Sequence, residues 1–222
     1  VHVTRLTSGA SDVHDRLVEY LEHLPRTLRS YDTLELDAFA FACTGSSYLL
    51  GATAEAQLVA EATTSSGYPV ETAARAILWA LARQRARRIA LLAPYPATLV
   101  DAGVRYWIAA GIEVVHVERI EIGGSDTRRI YSLSSDALVE PLRRVPRTAI
   151  DAVLISGTGL ESLPAIAQAS RSAPLQCPLL TSNLCLAART LELAGATGWL
   201  TPGSIDIRGW QKRLAEATDP GC

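Results

Sequence analysis

Nearly unbroken apolar runs, separated by stretches of helical periodicity, constrain this chain more than any other feature. RIALLAP at 88–94, DAVLISG at 151–157 and PLLTS at 178–182 are short and rich in branched apolar residues. Runs of this kind suit strands buried on both faces, so the pattern predicts a mostly parallel sheet covered by helices. Between them, TAARAILWALARQR (72–85) and residues 97–110 repeat apolar positions at helical spacing, the second closed by Gly111. VHVTRL (1–6), residues 38–43, the Pro69-Val70 pair and IEVVHVERI (112–120) read as further strands. DVHDRLVEYLEHL (12–24), with Ser11 as its cap, reads as a helix, as do residues 47–63, 134–144, 161–170 and 184–194, the last capped by Asn183. The expected class is α/β. No linker, charge run or low-complexity segment divides the chain.

Composition removes several functions. A net charge of −2 leaves no electrostatic footprint for nucleic acid or for an anionic membrane. No apolar run approaches the roughly 18 residues a membrane span needs, and the amino terminus lacks a signal-peptide layout. Cysteines at 43, 177, 185 and 222 show no paired spacing, which predicts reduced thiols and a cytoplasmic location. The only lysine is Lys212, so Schiff-base chemistry and a phosphate-loop lysine are both disfavoured. Histidines 2, 14, 23 and 116 are scattered and predict no metal site. Gly157-x-Gly159 lacks the third glycine of a dinucleotide fingerprint.

The candidate chemistry gathers at strand ends. FAFACTGSSYLL (39–50) breaks from strand to helix at Cys43, placing a thiol beside Thr44, Gly45, Ser46 and Ser47. In open α/β sheets that crevice binds ligands, and helix N-termini favour anions. The alternative is that Cys43 is a small buried hydrophobe. Ala93-Pro94-Tyr95-Pro96, Ser156-Gly157-Thr158-Gly159 and Thr181-Ser182-Asn183 are expected to emerge at the same sheet edge. Together these turns would bind one or two carboxylates without any arginine or metal. Tyr95, held between two prolines, would aim a hydroxyl donor. The alternative for Thr158, Ser182 and Asn183 is ordinary turn capping.

ACTGSS (42–47), LLAPY (91–95), AVLISGTGL (152–160) and PLLTSN (178–183) resemble, in order and spacing, the Asp/Glu racemase superfamily on its arylmalonate decarboxylase and maleate cis-trans isomerase branch. The resemblance implies two pseudo-symmetric lobes, each with a mostly parallel sheet flanked by helices, a site between them and no cofactor. Residues 1–93 with 184–222 would form the first lobe and 94–183 the second. It also implies a further strand ahead of VHVTRL, without which the first lobe is incomplete. Cys43 sits where the first-lobe cysteine belongs, whereas Gly157 occupies the second-lobe position. Arylmalonate decarboxylase has the opposite arrangement, so this chain resembles its mirror.

On that resemblance the expected activity is decarboxylation of a malonate-type acid through an enediolate, with Cys43 as proton donor. Thr44, Gly45, Ser46, Tyr95, Gly157, Thr158 and Asn183 would bind the substrate. The alternatives are maleate isomerisation through a Cys43 thiolate, an Asp/Glu-type racemisation, and a non-catalytic carboxylate-binding protein. The expected partner is a small carboxylate or dicarboxylate, with homo-oligomerisation open.

Overall fold

The computed structural model describes residues 1–172, 176–196 and 216. Residues 1–10 adopt no regular structure, so the strand expected at VHVTRL does not form. Val1 and Val3 lie exposed, and no strand pairs with this segment, which strand formation requires. Helix α1 (Val13–Glu22) is capped by Asp12 rather than Ser11, its carboxylate accepting from the amides of His14 and Asp15. A short helix, α2 (Leu24–Arg29), follows.

Strand β1 (Phe39–Phe41) leads into α3 (Thr44–Leu50) and α4 (Ala52–Ser66). The single helix expected over 47–63 is divided by Gly51, whose φ of +84° interrupts the ladder. Strand β2 (Val70–Thr72) pairs with β1 in parallel, Phe39 opposite Val70. Thr72 then caps α5 (Ala73–Arg83).

Beyond it come β3 (Arg88–Ala93), α6 (Ala97–Ala109) and β4 (Glu113–Arg119). Two 3-10 turns, Thr127–Ser132 and Ser135–Leu138, precede α7 (Val139–Arg144), so the helix expected from 134 is half 3-10. The chain continues through β5 (Ala152–Ile155), α8 (Leu163–Ser172), β6 (Leu179–Thr181) and α9 (Ser182–Leu193). Thr181 caps α9 by accepting from the Leu184 amide at 3.0 Å. Asn183 falls inside the helix, so it is not the cap.

The last four strands form one parallel sheet in the order β4-β3-β5-β6. The fold is therefore α/β with two parallel sheets flanked by helices. In β5 every side chain is buried and in β3 only Arg88 is partly exposed, as strands covered on both faces require. Edge strand β4 carries Glu113, His116 and Glu118 instead. Because β3 pairs with both β4 and β5, the four-stranded sheet begins at residue 88. Periodicity identifies a strand but not its neighbours. Of the segment 184–222 expected in the first lobe, residues 197–222 apart from 216 lie outside the described residues.

One large core joins β3, β5, α5 and α6, and a smaller one under β1 and β2 unites Leu21, Leu24, Phe41 and Val70. The buried alanines 73, 74, 76 and 80 of α5 allow close packing against α9. Gly103 serves the same end in α6: a Cβ there would stand 2.7 Å from the Tyr48 ring. Gly103→Ala is therefore expected to destabilise the protein by about 1–3 kcal/mol, measured by chemical denaturation, despite alanine's better helix propensity. No helix among the described residues is long and apolar enough to cross a membrane.

Candidate active site

The carboxyl ends of β1, β3 and β5 converge on a cavity of about 70 Å³. Cys43, Thr44 and Gly45 enter from the two-stranded sheet; Tyr95, Gly157, Thr158 and Gly159 enter from the four-stranded one. The turns thus arrive from two sheets, not from one edge. Arg16, Leu17 and Tyr20 of α1 form a third wall, and the 3-10 turn supplies Thr127, Arg128, Ile130 and Tyr131.

Cys43 is half-buried and precedes the first turn of α3 with extended backbone. Ser46 lies behind it rather than on the cavity wall, and its hydroxyl donates to Cys43 Sγ at 3.1 Å. Desolvation pushes the thiol pKa up from its ordinary value. The Ser46 hydroxyl, the amides of Ser46 and Gly45 and the Arg16 charge act in the opposite direction, but desolvation prevails. Cys43 is therefore a protonated thiol at neutral pH.

The facing wall is held by a buried polar network. The Thr44 hydroxyl donates to Ser182 Oγ at 2.9 Å, and the Gly157 amide donates to the same oxygen at 3.1 Å. Ser182, from the start of α9, thereby joins the two strand ends. The Thr158 hydroxyl donates to the Ala42 carbonyl at 2.8 Å, tying the β5 turn to the residue preceding the cysteine. Asn183 Nδ2 donates to the Thr158 carbonyl at 3.0 Å; it braces this turn and stays outside the cavity lining.

Tyr95 is buried, with the Ser156 and Thr44 hydroxyls acting on its phenol. Burial first, and then neighbouring Tyr48, raise its pKa well above the ordinary value. It remains a hydrogen-bond donor. Behind it, Tyr48 shares a 2.9 Å hydrogen bond with Ser156 and accepts from Trp107 Nε1 at 3.1 Å.

Gly157 has a φ of +108°, and a Cβ there would lie 3.1 Å from Pro94 Cγ and 3.6 Å from the Tyr95 hydroxyl. An L side chain at this position is strained whatever its chemistry. Cys43 is the only cysteine among the described residues that line the cavity.

Sequence reasoning missed the charged wall. The turns were expected to bind carboxylates without an arginine, yet the cavity is lined by Arg16 and Arg128 and by no acidic residue among the described ones. Arg16 is only 3% exposed. It does leave a signal: it lies three residues after Val13 and four before Tyr20, on the face of α1 that otherwise packs inward. An arginine on an apolar helix face asks for a partner. The 3-10 turn leaves no comparable mark.

The family model of arylmalonate decarboxylase matches residues 4–199. None of the curated proteins matches the sequence. Among solved structures, Nocardia farcinica maleate cis-trans isomerase is similar with a TM-score of 0.77 at 20% identity, covering 87% of this chain and 79% of that one. Pseudomonas putida maleate isomerase gives 0.74 at 19% identity, covering 82% and 74%. An arylmalonate decarboxylase gives 0.70 at 22% identity, covering 88% and 84%. Identities this low carry the fold alone, and that fold is common to decarboxylase and isomerase. With its model spanning most of the sequence, the family is nonetheless clear: this chain belongs to the arylmalonate decarboxylase family, within the enzymes of the Asp/Glu racemase-like superfamily.

Proposed function

We propose that the protein is a cofactor-independent decarboxylase of malonate-type acids, with Cys43 as the proton donor. The observation that carries this reading is a single thiol on an arginine-lined cavity, with a glycine in the same lining whose backbone disfavours a second thiol; desolvation favours the thiol's protonated form. Two-base racemisation needs proton donors on both faces of one carbon, and a strained position 157 argues against it.

In this mechanism one carboxylate leaves as CO₂. The electrons of the breaking C–C bond pass into the remaining carboxylate, which becomes an enediolate. The Tyr95 phenol and the amides of Thr44 and Thr158 surround the developing charge, and donors fixed in place stabilise it without reorganising. The Cys43 thiol then transfers its proton to carbon, and solvent restores it. Thr158, Asn183 and Ser182 hold the two turns in position, while Ser46 orients the thiol.

Maleate isomerisation is the second reading, since the arginine-lined cavity suits either dicarboxylate. It needs a Cys43 thiolate to add to the double bond, which desolvation of the thiol opposes. The purified protein is to be given phenylmalonate, methylmalonate and maleate separately and followed by proton NMR. Appearance of a monocarboxylic acid supports the decarboxylase; fumarate would overturn it in favour of the isomerase. Chiral analysis of the phenylmalonate-type product adds a check, because the mirror placement of the cysteine predicts the enantiomer opposite to that of second-lobe-cysteine enzymes.

The thiol's protonation has its own test. Carboxamidomethylation of Cys43, read by mass spectrometry, is expected to keep accelerating beyond pH ~8.5, the ordinary thiol value. The acid form, and with it the activity, persists below the raised pKa and is lost as pH climbs through it. A labelling plateau reached below neutral pH would instead mark a stabilised thiolate.

A further inference from the structure

Beyond the general malonate chemistry, the cavity carries a feature the reaction does not use. Arg16 is almost wholly buried, its Nη2 donating to Asp126 Oδ1 at 2.7 Å and facing Thr127 Oγ1 at 3.4 Å. Its Nη1 is also buried yet finds no hydrogen-bond partner among the described residues. Leaving a guanidinium nitrogen desolvated and unpaired is costly unless something else pairs with it. Nor does Asp126 neutralise the wall. Its carboxylate is shared with Arg128, which bonds both of its oxygens. Two guanidiniums against one carboxylate leave a positive charge beside Cys43, in a cavity whose described lining holds no acid.

We propose that Arg16 recognises a carboxylate on the substrate's side chain, so that the acid decarboxylated is a malonate bearing an anionic substituent. This rests on the decarboxylase reading above. The carboxylate that departs as CO₂ is a poor partner for Arg16, since a guanidinium would stabilise the charge that the transition state disperses. The carboxylate that becomes the enediolate already has the Tyr95 phenol and the turn amides. A third, persistent carboxylate is the group left for Arg16, and its fork suits planar oxyanions.

Ethane-1,1,2-tricarboxylate is the probe, and its side-chain amide is the neutral control of the same shape. Decarboxylation of the tricarboxylate breaks one C–C bond, takes up one proton and gives succinate and CO₂. Steady-state kcat/KM is expected to favour the tricarboxylate by about 10- to 100-fold, the range for a charge-assisted pair. Arg16→Gln is expected to collapse that ratio to near unity, chiefly through KM. Asp126→Asn, which loosens the Arg16 tether but keeps the guanidinium, is expected to retain the ratio within about threefold.

A wild-type ratio near one overturns the proposal, as does a collapse of equal size in Asp126→Asn, which would mark a structural effect. Succinate binding by calorimetry separates this proposal from the underlying one. If neither malonate is turned over but succinate binds the wild type and not Arg16→Gln, the decarboxylase reading fails while the Arg16 site stands. If both malonates are turned over equally, the Arg16 site fails and the decarboxylase stands.

Discussion

Replacing Cys43 by alanine is expected to lower the decarboxylation rate by roughly 10²–10⁴-fold, the usual contribution of a positioned acid. No other thiol among the described residues lines the cavity. Cys185 is fully buried, its pKa pushed up to about 12 by desolvation, and it cannot substitute. The loss should fall on kcat, because the turns proposed to hold the substrate, Thr44 to Gly45 and Gly157 to Gly159, keep their hydrogen bonds without the sulfur. Deuterium incorporation gives a second readout. In D₂O any residual product of Cys43→Ala should be racemic, since water reaches the enediolate without the thiol's facial bias. Retained rate with a single enantiomer would show that another group delivers the proton, and Cys43 would lose its assigned role.

The largest effect on stability is expected from Trp107→Ala, at about 3–5 kcal/mol. Trp107 is completely buried. Its ring meets Tyr106 and Tyr48 edge to face, at centroid separations of 5.0 and 5.7 Å. Its Nε1 proton goes to the Tyr48 hydroxyl, which in turn bonds Ser156 at the end of β5. Alanine would leave a ring-sized void and strip the Tyr48 oxygen of a donor. Trp107→Phe separates the two contributions, since it retains most of the volume and loses the hydrogen bond, for about 1–2 kcal/mol. Urea denaturation of both variants measures this. A loss below about 1.5 kcal/mol for alanine would mean that the void collapses easily, against the packing described.

Legibility in the sequence followed burial. RIALLA and AVLI appear as β3 and β5 because a strand covered on both faces must be apolar throughout, a property of the string itself. The helix caps were read less well. Ser11 and Asn183 were each one or two residues from the true caps, Asp12 and Thr181, since several capping residues adjoin and only backbone geometry chooses between them. VHVTRL has a strand's composition but no strand, because strand formation depends on a neighbour that composition does not name. Within the site, Cys43, Thr44, Gly45, Tyr95, Gly157 and Thr158 were all legible as turn residues at strand ends, and all six meet at one cavity. Asn183 and Ser46 were legible too, but they brace their neighbours from outside the lining.

What the sequence by itself determined is the α/β class, the position of each apolar strand and the placing of a thiol at a strand-to-helix turn. These are local properties, written in spacings of two to seven residues. Tertiary structure alone decided that β3 joins β4 and β5, and that α1 and the 3-10 turn close the cavity with arginines. Arg16 and Asp126 are separated by 110 residues, and Thr44 and Ser182 by 138. Pairings at such distances depend on how the whole chain packs. No local pattern encodes them, and the charge of the cavity follows from them.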